Sequence, residues 1–473
     1  MATMPAVEAA PMRIMRIAII GAGFTGCLLA VQLLRRSAGA AKVVLIERGG
    51  PPGRGMAYGT PHPAHLLNVR TANMSAFPDQ PEDFQSWARA HGAGDQPYLP
   101  RRFYGDYLGE TLAAAGRDFP GGLTMLADAA VGLDRDANGV TVRLASGRTE
   151  PADIAALCTG NAPPSAPVTL PDAPGRILVG PEDACLPSIL PDETVLILGT
   201  GLTMIDIAAG LAAQEHRGRV LALSRRGLLP RPHRDVASKP AALDSAEFVG
   251  LPALAVLRRL RALNREAEAA GGDWRAVIDG LRPFTQKLWQ GWDEAEAGRF
   301  LRHLRPWWDV HRHRVAPAIA DRVGAMIASG QLQVLAGRLR TVTPTEDGLT
   351  VTLRRRGGAA DETRAICRLV LASGPETDPG RTDDPLLRSL LAGGAARPDR
   401  LRLGLDVDAG GRLIGHDGQP SPRLYALGPP TRGAFWEITA VPDIRKQCAE
   451  VAAAMLAGDT VPAPAKPGFD PVI

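Results

Sequence analysis

Short apolar runs rich in Ile, Val and Leu alternate with longer stretches of helical character along most of the chain. The first run covers Ile17 to Ile20, and the second runs from Val43 to Ile46 before a single acid, Glu47. Between the two runs, Ala and Leu recur at the spacing of a helix. Strand, helix and strand in this order predict a βαβ unit and therefore a parallel sheet.

A glycine-rich turn joins the first strand to this helix. Gly21, Gly23 and Gly26 have the G-x-G-x-x-G spacing of a dinucleotide fingerprint. Gly21 permits the sharp turn, Gly23 leaves room for a pyrophosphate at the helix N-terminus, and Gly26 lets the helix lie close to the sheet. Glu47 follows Gly26 by 21 residues, where a carboxylate accepts both ribose hydroxyls and repels a 2′-phosphate. The unit therefore predicts a site for FAD or NAD rather than NADP.

The same pattern returns 178 residues after Gly21. An apolar strand leads into Gly199 and Gly201, and a helix rich in Ala and Leu follows. The next strand ends not in an acid but in Ser224, Arg225 and Arg226. A guanidinium at that point can bind a 2′-phosphate through two parallel hydrogen bonds. We therefore predict FAD in the first unit and NADP(H) in the second, with NADH as the alternative.

The two units and the segments around them predict the domain organisation. The fold class is α/β with two Rossmann-like (GR2-type) dinucleotide-binding domains, the NAD(P) domain being inserted in the FAD domain. The predicted parts are the first part of the FAD domain at 12–190, the NAD(P) domain at 191–370, the C-terminal part of the FAD domain at 371–460 and a tail at 461–473. A helical insertion at 241–330 carries five of the seven Trp residues and has Leu254, Leu257, Leu260 and Leu263 at helical spacing.

Composition and charge narrow the class of protein. The chain has 473 residues, of which 45% are hydrophobic, and its 54 basic residues nearly balance 50 acidic ones. A net charge of +4 gives no reason to expect a nucleic acid as partner. No apolar stretch reaches the roughly 18 residues of a membrane span, so we expect no membrane contact. The N-terminus lacks the pattern of a signal peptide, Met12 or Met15 is an alternative start, and we expect a cytoplasmic protein.

The cysteines argue against metal and disulfide chemistry. Cys27, Cys158, Cys185, Cys367 and Cys448 form neither a C-x-x-C pair nor a metal-binding spacing. We expect them to be small core residues in a reducing compartment.

The helical insertion contains a segment rich in His and Arg. His311 and His313 are two residues apart and would point to different sides of a helix, with no acid to complete a metal site. We therefore predict no metal. Arg312 and Arg314 with His311 would instead make an anion pocket for a substrate carboxylate or for the NADP phosphates. The alternative is a solvated interdomain helix whose tryptophans face the core.

The segment from Gly53 to Asp79 mixes Gly, Pro and polar residues with Leu, Met and Phe. This composition is typical of an ordered loop that covers a ligand. His62 and His65 lie in this loop, where both a catalytic base and a structural role are open.

Several motifs in the chain point to one family. They are Tyr58-Gly59-Thr60-Pro61, Gly199-Thr200-Gly201-Leu202-Thr203, Trp436-Glu437-Ile438-Thr439-Ala440-Val441-Pro442, and the loop from Leu66 to Asp79 followed by Phe84, Trp87, Arg102, Tyr107 and Leu108. Nearly the whole chain resembles the two-dinucleotide-binding-domain flavoproteins, and within them the single-component N-hydroxylating monooxygenases. The closest likeness is to a family of FAD-NAD(P)-binding proteins that includes nitrosuccinate-forming aspartate N-monooxygenases.

The resemblance implies a set of cofactor contacts. Asn68 would lie against the isoalloxazine ring, where a hydrogen bond makes it our candidate catalytic residue. The alternative is an Asn that stabilises its own loop. Gly428 and Thr439 would approach the ribityl chain and the pyrimidine end. The other residues expected to bind FAD or NADP(H) are Gly21, Gly23, Phe24, Thr25, Gly26, Glu47, Arg102, Gly160, Gly199, Gly201, Leu202, Thr203, Ser224, Arg225 and Arg226.

The chain departs from related patterns in two places. Many relatives have Gly-Asp where this chain has Gly428-Pro429, so a hydrogen bond to the ribityl chain must come from elsewhere. The F-x-G-x-x-x-H-x-x-x-W signature of Baeyer-Villiger enzymes is absent from the sequence, which argues against ketone oxygenation.

The resemblance implies an FAD- and NADPH-dependent monooxygenase that uses O₂ and a C4a-hydroperoxyflavin on a small amine-bearing metabolite. One alternative is a non-thiol FAD/NAD(P)H reductase, since disulfide chemistry needs a Cys pair beside the flavin. The other is a flavin-bound redox sensor or scaffold without turnover.

Overall fold

The computed structural model describes residues 14–136, 138–180, 188–236 and 239–457. Met12, Cys185 and the predicted tail at 461–473 lie outside the described residues. Within these ranges the fold has two main sheets with parallel centres, a small antiparallel sheet and a group of helices beyond the second main sheet.

The strands are numbered in chain order. They are β1 (Arg16–Ile20), β2 (Lys42–Glu47), β3 (Leu123–Ala127), β4 (Ala130–Arg135), β5 (Val140–Leu144), β6 (Thr149–Ala152), β7 (Ile154–Leu157), β8 (Ile177–Val179), β9 (Val195–Leu198), β10 (Val220–Ser224), β11 (Leu332–Pro344), β12 (Leu349–Arg355), β13 (Asp361–Ile366), β14 (Arg368–Leu371), β15 (Arg412–Ile414) and β16 (Pro420–Ala426).

The α-helices are numbered in the same way. They are α1 (Phe24–Arg36), α2 (Gly55–Tyr58), α3 (Asp83–Ala90), α4 (Arg101–Asp118), α5 (Leu202–Ala213), α6 (Ala253–Ala269), α7 (Trp274–Leu281), α8 (Thr285–Gly291), α9 (Glu294–Arg299), α10 (Arg305–Arg312), α11 (Pro317–Ala328), α12 (Pro385–Ala392) and α13 (Val441–Ala457). Short 3-10 helices cover Thr71–Asn73, Ser245–Glu247, Arg282–Phe284, Pro379–Arg381 and Pro429–Thr431, and a π-helical turn covers Phe300–Leu304.

The first sheet has the strand order β15-β16-β7-β1-β2-β3. Its central strand β1 pairs in parallel with both β2 and β7, and Ile17 to Ile20 are buried on both faces. Parallel strands with helices on their faces read as continuous apolar runs for this reason. Helix α1 covers one face, since its residues from Phe24 to Leu34 are all buried. The predicted first βαβ unit is confirmed.

The strands that follow α4 belong to two sheets. Strands β4 and β5 pair antiparallel on either side of Asn138-Gly139, a dipeptide that is typical of hairpin turns. Strand β3 belongs to a different sheet, since it pairs in parallel with β2 at the edge of the first sheet. None of the five residues of β3 is fully buried.

The second sheet has the order β13-β12-β11-β10-β9-β14-β8. Strand β9 lies between β10 and β14, and all three are parallel. Strand β8 pairs in parallel with β14, although it precedes the predicted domain boundary at 190/191. We therefore propose that the second domain begins before Ile177, and we keep the other predicted boundaries as proposals.

The predicted helical insertion contains helices α6 to α10 together with the 3-10 and π-helical turns between them. The predicted row of leucines at helical spacing begins at Leu254, and it is wrong for that residue. Leu254 is 52% exposed, whereas Val256 and Leu260 face the core. The last helix of the predicted range, α11, packs on α5 and belongs to the core of the second sheet. Trp289 of the insertion stacks on Trp436, with ring centroids 4.8 Å apart, and so joins the insertion to the C-terminal segment.

Candidate functional site

The first glycine turn has the geometry of a nucleotide cradle. Gly21 has a φ of 101°, and a Cβ added there would lie 2.5 Å from the Cys158 carbonyl oxygen. A Cβ on Gly26 would lie 1.8 Å from the Gly21 oxygen, so the helix sits directly on the turn. A Cβ on Gly23 would meet only Gly55 Cα, at 3.8 Å. The space beside Gly23 is thus not filled by protein, and it fits a pyrophosphate at the N-terminus of α1.

Glu47 lies at the end of β2, beside this turn. Its Oε2 accepts a hydrogen bond from the Ala22 N–H at 2.7 Å, and its Oε1 accepts one from the Gly49 N–H at 3.1 Å. A carboxylate has about four acceptor sites, so these bonds fix its orientation and leave capacity for ribose hydroxyls. Binding of the ribose by Glu47 stays a prediction.

Phe24 and Thr25 begin helix α1 and are both buried. The ring of Phe24 packs against Tyr58 and Tyr104, with centroid distances of 6.4 and 6.0 Å. The Phe24 side chain is therefore part of the core, and what this residue offers to a cofactor is its backbone at the helix N-terminus. Thr25 approaches Gly428, where an added Cβ would lie 2.6 Å from Thr25 Oγ1.

Gly428 has a φ of 72°, which favours glycine, and its N–H donates to Gln447 Oε1 at 2.8 Å. Gln447 is buried on α13 and also donates to Thr431 Oγ1 at 3.3 Å. A buried amide therefore organises the turn that contains Pro429. The sequence carried a signal for it, since Gln447 is a polar residue between Ile444 and Val451 on the apolar face of a helix.

The second glycine turn repeats the first. Gly199 has a φ of 128°, and a Cβ there would lie 2.0 Å from the Ala372 carbonyl oxygen. No protein atom lies within 4 Å of a Cβ placed on Gly201, so this cradle is also open beside Leu202 and Thr203 of α5. Thr200, which is not among the predicted cofactor residues, donates to the Leu228 oxygen at 2.6 Å and lies 2.8 Å from Ser224 Oγ.

The two arginines after β10 have different surroundings. Ser224 Oγ accepts from the Gly227 N–H at 3.0 Å, which turns the loop. Arg226 Nη2 lies 3.4 Å from the Arg302 carbonyl oxygen, so this side chain reaches the helical insertion. Arg225 is exposed and makes no hydrogen bond or ion pair with the residues that the structure describes. Arg225 is therefore the guanidinium available to a 2′-phosphate.

A cleft of about 1080 Å³ lies between the loop before α3, the helical insertion and the segment that leads into α13. Asn68 and Thr439 line it from the side of the first sheet, and Arg312 and Arg314 line it from the insertion. The Asn68 backbone oxygen accepts from His233 Nε2 at 3.0 Å, which ties the loop to the second sheet's domain. Asn68, the candidate catalytic residue, thus lines this cleft.

The predicted anion pocket is only partly assembled. Arg312 pairs with Glu437, at 2.9 Å between Nε and Oε2, and Arg314 pairs with Asp279. His311 lines a different, apolar cavity, because adjacent residues of α10 point in directions about 100° apart around the helix. The structure therefore brings Arg312 and Arg314 together without His311, and it gives each arginine an acid partner. The alternative of a solvated helix is also wrong for these two arginines, which are buried.

Two other arginines of the cleft have no acid partner among the described residues. Arg70 donates to the backbone oxygens of Arg234 and Asp235, and the Arg445 Nη1 donates to the Ser75 oxygen at 2.9 Å. Carbonyl oxygens do not cancel the charge of a guanidinium, so these two residues give the cleft a positive potential.

Of the two histidines in the loop from Gly53 to Asp79, His65 is buried. His65 Nδ1 lies 2.7 Å from Thr60 Oγ1, and its ring stacks on that of His62. Burial lowers the pKa of His65 to about 4, with smaller effects from His62 and Arg101. A neutral, buried imidazole bonded to a loop hydroxyl fits the structural role.

Comparison with known families gives a match for the part of the chain that contains the first glycine turn. Residues 18–162 match a family model described as FAD-NAD(P)-binding. This part of the chain is similar to FAD-NAD(P)-binding domains. The match supports FAD and NAD(P) as the cofactors and bears out, over these residues, the predicted likeness to FAD-NAD(P)-binding proteins. The comparison with curated proteins gave no match.

Solved structures with the same fold cover most of the chain. The ornithine hydroxylase of Pseudomonas aeruginosa in its reduced form is 14% identical, with a TM-score of 0.64 over 94% of this chain and 100% of the other. The L-lysine 6-monooxygenase of Pseudomonas syringae is 14% identical, with a TM-score of 0.63 over 94% and 99%. The thioredoxin reductase of T. acidophilum is 11% identical, with a TM-score of 0.53 over 93% and 97%. At these identities the likeness shows the fold, which hosts more than one reaction.

The FAD-NAD(P)-binding domain meets the second domain through an arginine that the sequence analysis did not choose. Arg102 is exposed at the start of α4, and it has no partner within the described part of the chain. The preceding Arg101 instead pairs with Asp206 of α5, at 2.9 Å between Nη2 and Oδ2. Burial raises the pKa of Asp206, although Arg101 acts in the opposite direction. Gly160 has a φ of 70° with open space around it, and cofactor binding by Arg102 and Gly160 stays a prediction.

No group of three His, Cys, Asp or Glu side chains arranged for a metal ion is found in the described ranges. Within the same ranges, none of the helices combines the length and the hydropathy needed to cross a bilayer.

Proposed function

We propose that this chain is an FAD- and NADPH-dependent monooxygenase of the N-hydroxylating type that acts on a small amine-bearing metabolite. The observation that carries the proposal is the cleft of about 1080 Å³, in which Asn68 and Thr439 from the flavin side face a wall from the helical insertion. A cleft at the meeting of two nucleotide domains is where such enzymes need their substrate. The overall fold of the ornithine and lysine hydroxylases supports this choice.

The residues of the two cradles hold the cofactors in this proposal. Gly23 and the N-terminus of α1 receive the FAD pyrophosphate, and Glu47 receives its ribose hydroxyls. Gly201 and the N-terminus of α5 receive the pyrophosphate of the nicotinamide cofactor, and Arg225 binds its 2′-phosphate. Flavin reduced by NADPH supplies the activation of O₂, a reaction that side chains do not perform.

The cleft residues orient the substrate and exclude water. The Asn68 carboxamide donates a hydrogen bond toward the reacting centre, while its backbone oxygen is fixed by His233 at 3.0 Å. Burial lowers the pKa of His233 to about 4, so its imidazole is neutral and Nε2 donates this bond. Arg70 and Arg445 attract an acidic group of the substrate and leave its amine pointing toward the flavin side. Arg312 and Arg314, held by acids, shape the wall.

The cysteines argue against the alternative of a reductase that acts on disulfides. Burial raises the pKa of Cys27 to about 12, and burial also raises the pKa of Cys158 and of Cys448 above the range in which a thiolate forms. All four cysteines of the described ranges are free thiols and none is exposed. Thiolates are the reactive form in disulfide exchange. Cys185 lies outside the described residues.

The test is turnover by the purified protein with FAD and NADPH. A panel of amino acids and diamines is screened for substrate-dependent NADPH oxidation, and hydroxylated product is quantified against NADPH consumed. We expect one substrate class to stimulate oxidation with product formed in proportion. Oxidation that every amine leaves unchanged and that yields only hydrogen peroxide would favour the reductase or sensor alternatives.

Asn68→Ala refines the test. We expect the variant to keep its FAD and to consume NADPH while forming less product and more hydrogen peroxide. Full coupling in Asn68→Ala would remove this residue from the mechanism. Arg314→Ala and Arg445→Ala separate the two kinds of cleft arginine, because only loss of the unpaired Arg445 should raise KM for an acidic substrate while kcat is retained.

A further inference from the structure

The helical insertion encloses a second cavity of about 350 Å³, distinct from the cleft between the nucleotide domains. Its walls are apolar side chains of α6, α7 and α8, the π-helical turn and α10. Five of the seven tryptophans of the chain line it, namely Trp289, Trp292, Trp307, Trp308 and Trp436. A cavity of this size and composition matches the lower range of small-molecule sites.

The polar groups of the wall are mostly satisfied by the protein itself. The indole N–H of Trp289 donates to the Gly433 oxygen at 2.7 Å, that of Trp292 to the Leu251 oxygen at 2.8 Å, and that of Trp308 to Glu437 at 2.9 Å. The hydroxyl of Thr285 donates to the Arg282 oxygen at 3.0 Å. The body of an occupant therefore meets ring faces and methyl groups.

Some polar groups of the cavity wall have no such partner within the protein. Arg261 lines the cavity, is exposed, and has no acid or other partner among the described residues. Asn264 follows three residues later on α6, which places both side chains on one face of the helix. The Asn264 Oδ1, an acceptor, and the Trp436 Nε1, a donor, are both shielded from solvent without a hydrogen-bond partner in the described ranges. The neighbouring arginine Arg259, by contrast, is engaged by Glu247 and Glu266.

Trp307 marks the mouth, since it lines the cavity and is 44% exposed. An unpaired cation beside an apolar, tryptophan-lined cavity is complementary to an anion that carries an apolar body. A guanidinium prefers a carboxylate because two parallel hydrogen bonds form.

We propose that this cavity is a binding site for a small amphipathic carboxylate, with its aliphatic or aromatic body among the tryptophans and its carboxylate on the Arg261 guanidinium. The site is separate from the proposed reaction. Its wall is nevertheless shared with the cleft, because Ile278 and His311 face the cavity while their neighbours Asp279 and Arg312 face the cleft.

The test compares three probes of equal chain length on the full-length, FAD-loaded protein: octanoate, octan-1-ol and octylamine. Binding is measured by calorimetry and by tryptophan fluorescence. We expect saturable binding of octanoate at one site, with octanol roughly tenfold weaker and octylamine weaker still, because a charge-assisted bond is lost and then replaced by repulsion.

Variants assign the binding to the cavity. Arg261→Gln should weaken octanoate roughly tenfold, to the level of octanol, and leave octanol unchanged. Arg258→Gln is the matched control, since Arg258 is exposed on the same helix and does not line the cavity. Leu257→Trp should fill the cavity and abolish binding of both probes. Circular dichroism and FAD content verify that each variant folds.

Several outcomes would overturn the proposal. Absence of saturable octanoate binding would show that the cavity is not a binding site. Equal affinities for the three probes, or an unchanged octanoate affinity in Arg261→Gln, would show that the site does not recognise a carboxylate. Self-association of the chain in sedimentation that Trp307→Ala abolishes, together with octanoate failing to bind, would assign the mouth to a subunit contact instead. None of these results depends on turnover, so they are distinguishable from a failure of the proposed monooxygenase.

Discussion

Arg312 Nε lies 2.9 Å from Glu437 Oε2, and the two side chains are only 9% and 2% exposed. The pair joins helix α10 of the insertion to the segment that leads into α13. Trp308 Nε1 donates to the other Glu437 oxygen at 2.9 Å. Burial alone would raise the pKa of Glu437, but Arg312, His313, the Trp308 hydrogen bond and Arg432 together more than offset it, and the pKa lies below its ordinary value. Arg312 lines the cleft from the side of the insertion.

The first prediction concerns this ion pair. Arg312→Gln leaves the Glu437 carboxylate buried without its partner, and we expect the free energy of unfolding to fall by about 3–5 kcal/mol. Arg354→Gln is the control, because its pair with Asp361 is about 40% exposed and such surface pairs contribute about 0–1 kcal/mol. Urea denaturation measures both. An equal fall in the free energy of unfolding in the two variants would show that the buried pair contributes no more to stability than the exposed pair.

The second prediction separates the two glycines of the first turn. Gly23→Ala should fold with an unchanged melting temperature and lose FAD, because its Cβ meets no protein atom closer than 3.8 Å but enters the pyrophosphate space. Gly26→Ala should be strongly destabilised, since its Cβ would lie 1.8 Å from the Gly21 oxygen. Flavin absorbance and thermal unfolding are the measurements. A Gly23→Ala protein that retains FAD at full occupancy would contradict the assignment of the cradle.

The third prediction concerns the choice between NADPH and NADH. Arg225→Ala should raise KM for NADPH roughly tenfold and leave KM for NADH unchanged, because only NADPH carries the phosphate that a free guanidinium binds. Arg226→Ala should change the preference less, since Arg226 reaches the Arg302 oxygen of the insertion. Steady-state kinetics with both cofactors measure the ratio. An unaltered ratio in Arg225→Ala would assign the 2′-phosphate to another residue.

The fourth prediction is a pH dependence of stability. Burial lowers the pKa of His65 and of His233 from 6.5 to about 4, so the unfolded chain binds more protons than the folded one between these values. Stability should therefore be fully present above pH 6.5 and be lost as the pH falls toward 4, by on the order of 3 kcal/mol for each group. Denaturation across this window, with His65→Gln compared with the exposed His303→Gln, measures it. An identical slope in both variants would contradict the role of His65.

The local chemistry of the two nucleotide units was predictable from the sequence. Gly21, Gly26 and Gly199 each occupy a point where an added Cβ would collide with a backbone oxygen. The spacing of the glycines is enough to predict these positions, because the turn and its helix are adjacent in the chain. Glu47 was placed at the end of β2 by the same local logic, and it lies there beside the turn.

The partners of the cleft residues were not predictable in this way. Arg312 and Glu437 are 125 residues apart, and Arg101 and Asp206 are 105 residues apart. Neither distance leaves a periodic signal, so the sequence could nominate Arg312 without revealing that an acid holds it. Arg102 was chosen over Arg101 because a motif fixes a position in the chain, whereas the turn of α4 decides which side chain faces α5. His311 was grouped with Arg312 for the same reason.

The most direct test of the account is the anaerobic reaction of the purified protein with NADPH after loading with FAD. We predict one tightly bound FAD for each chain and bleaching of the visible flavin absorbance by NADPH, with Gly201→Ala keeping FAD but losing the bleaching. A colourless protein that does not take up added FAD, or a bound flavin that NADPH leaves oxidised, would contradict the claim that this chain brings a flavin and a nicotinamide together.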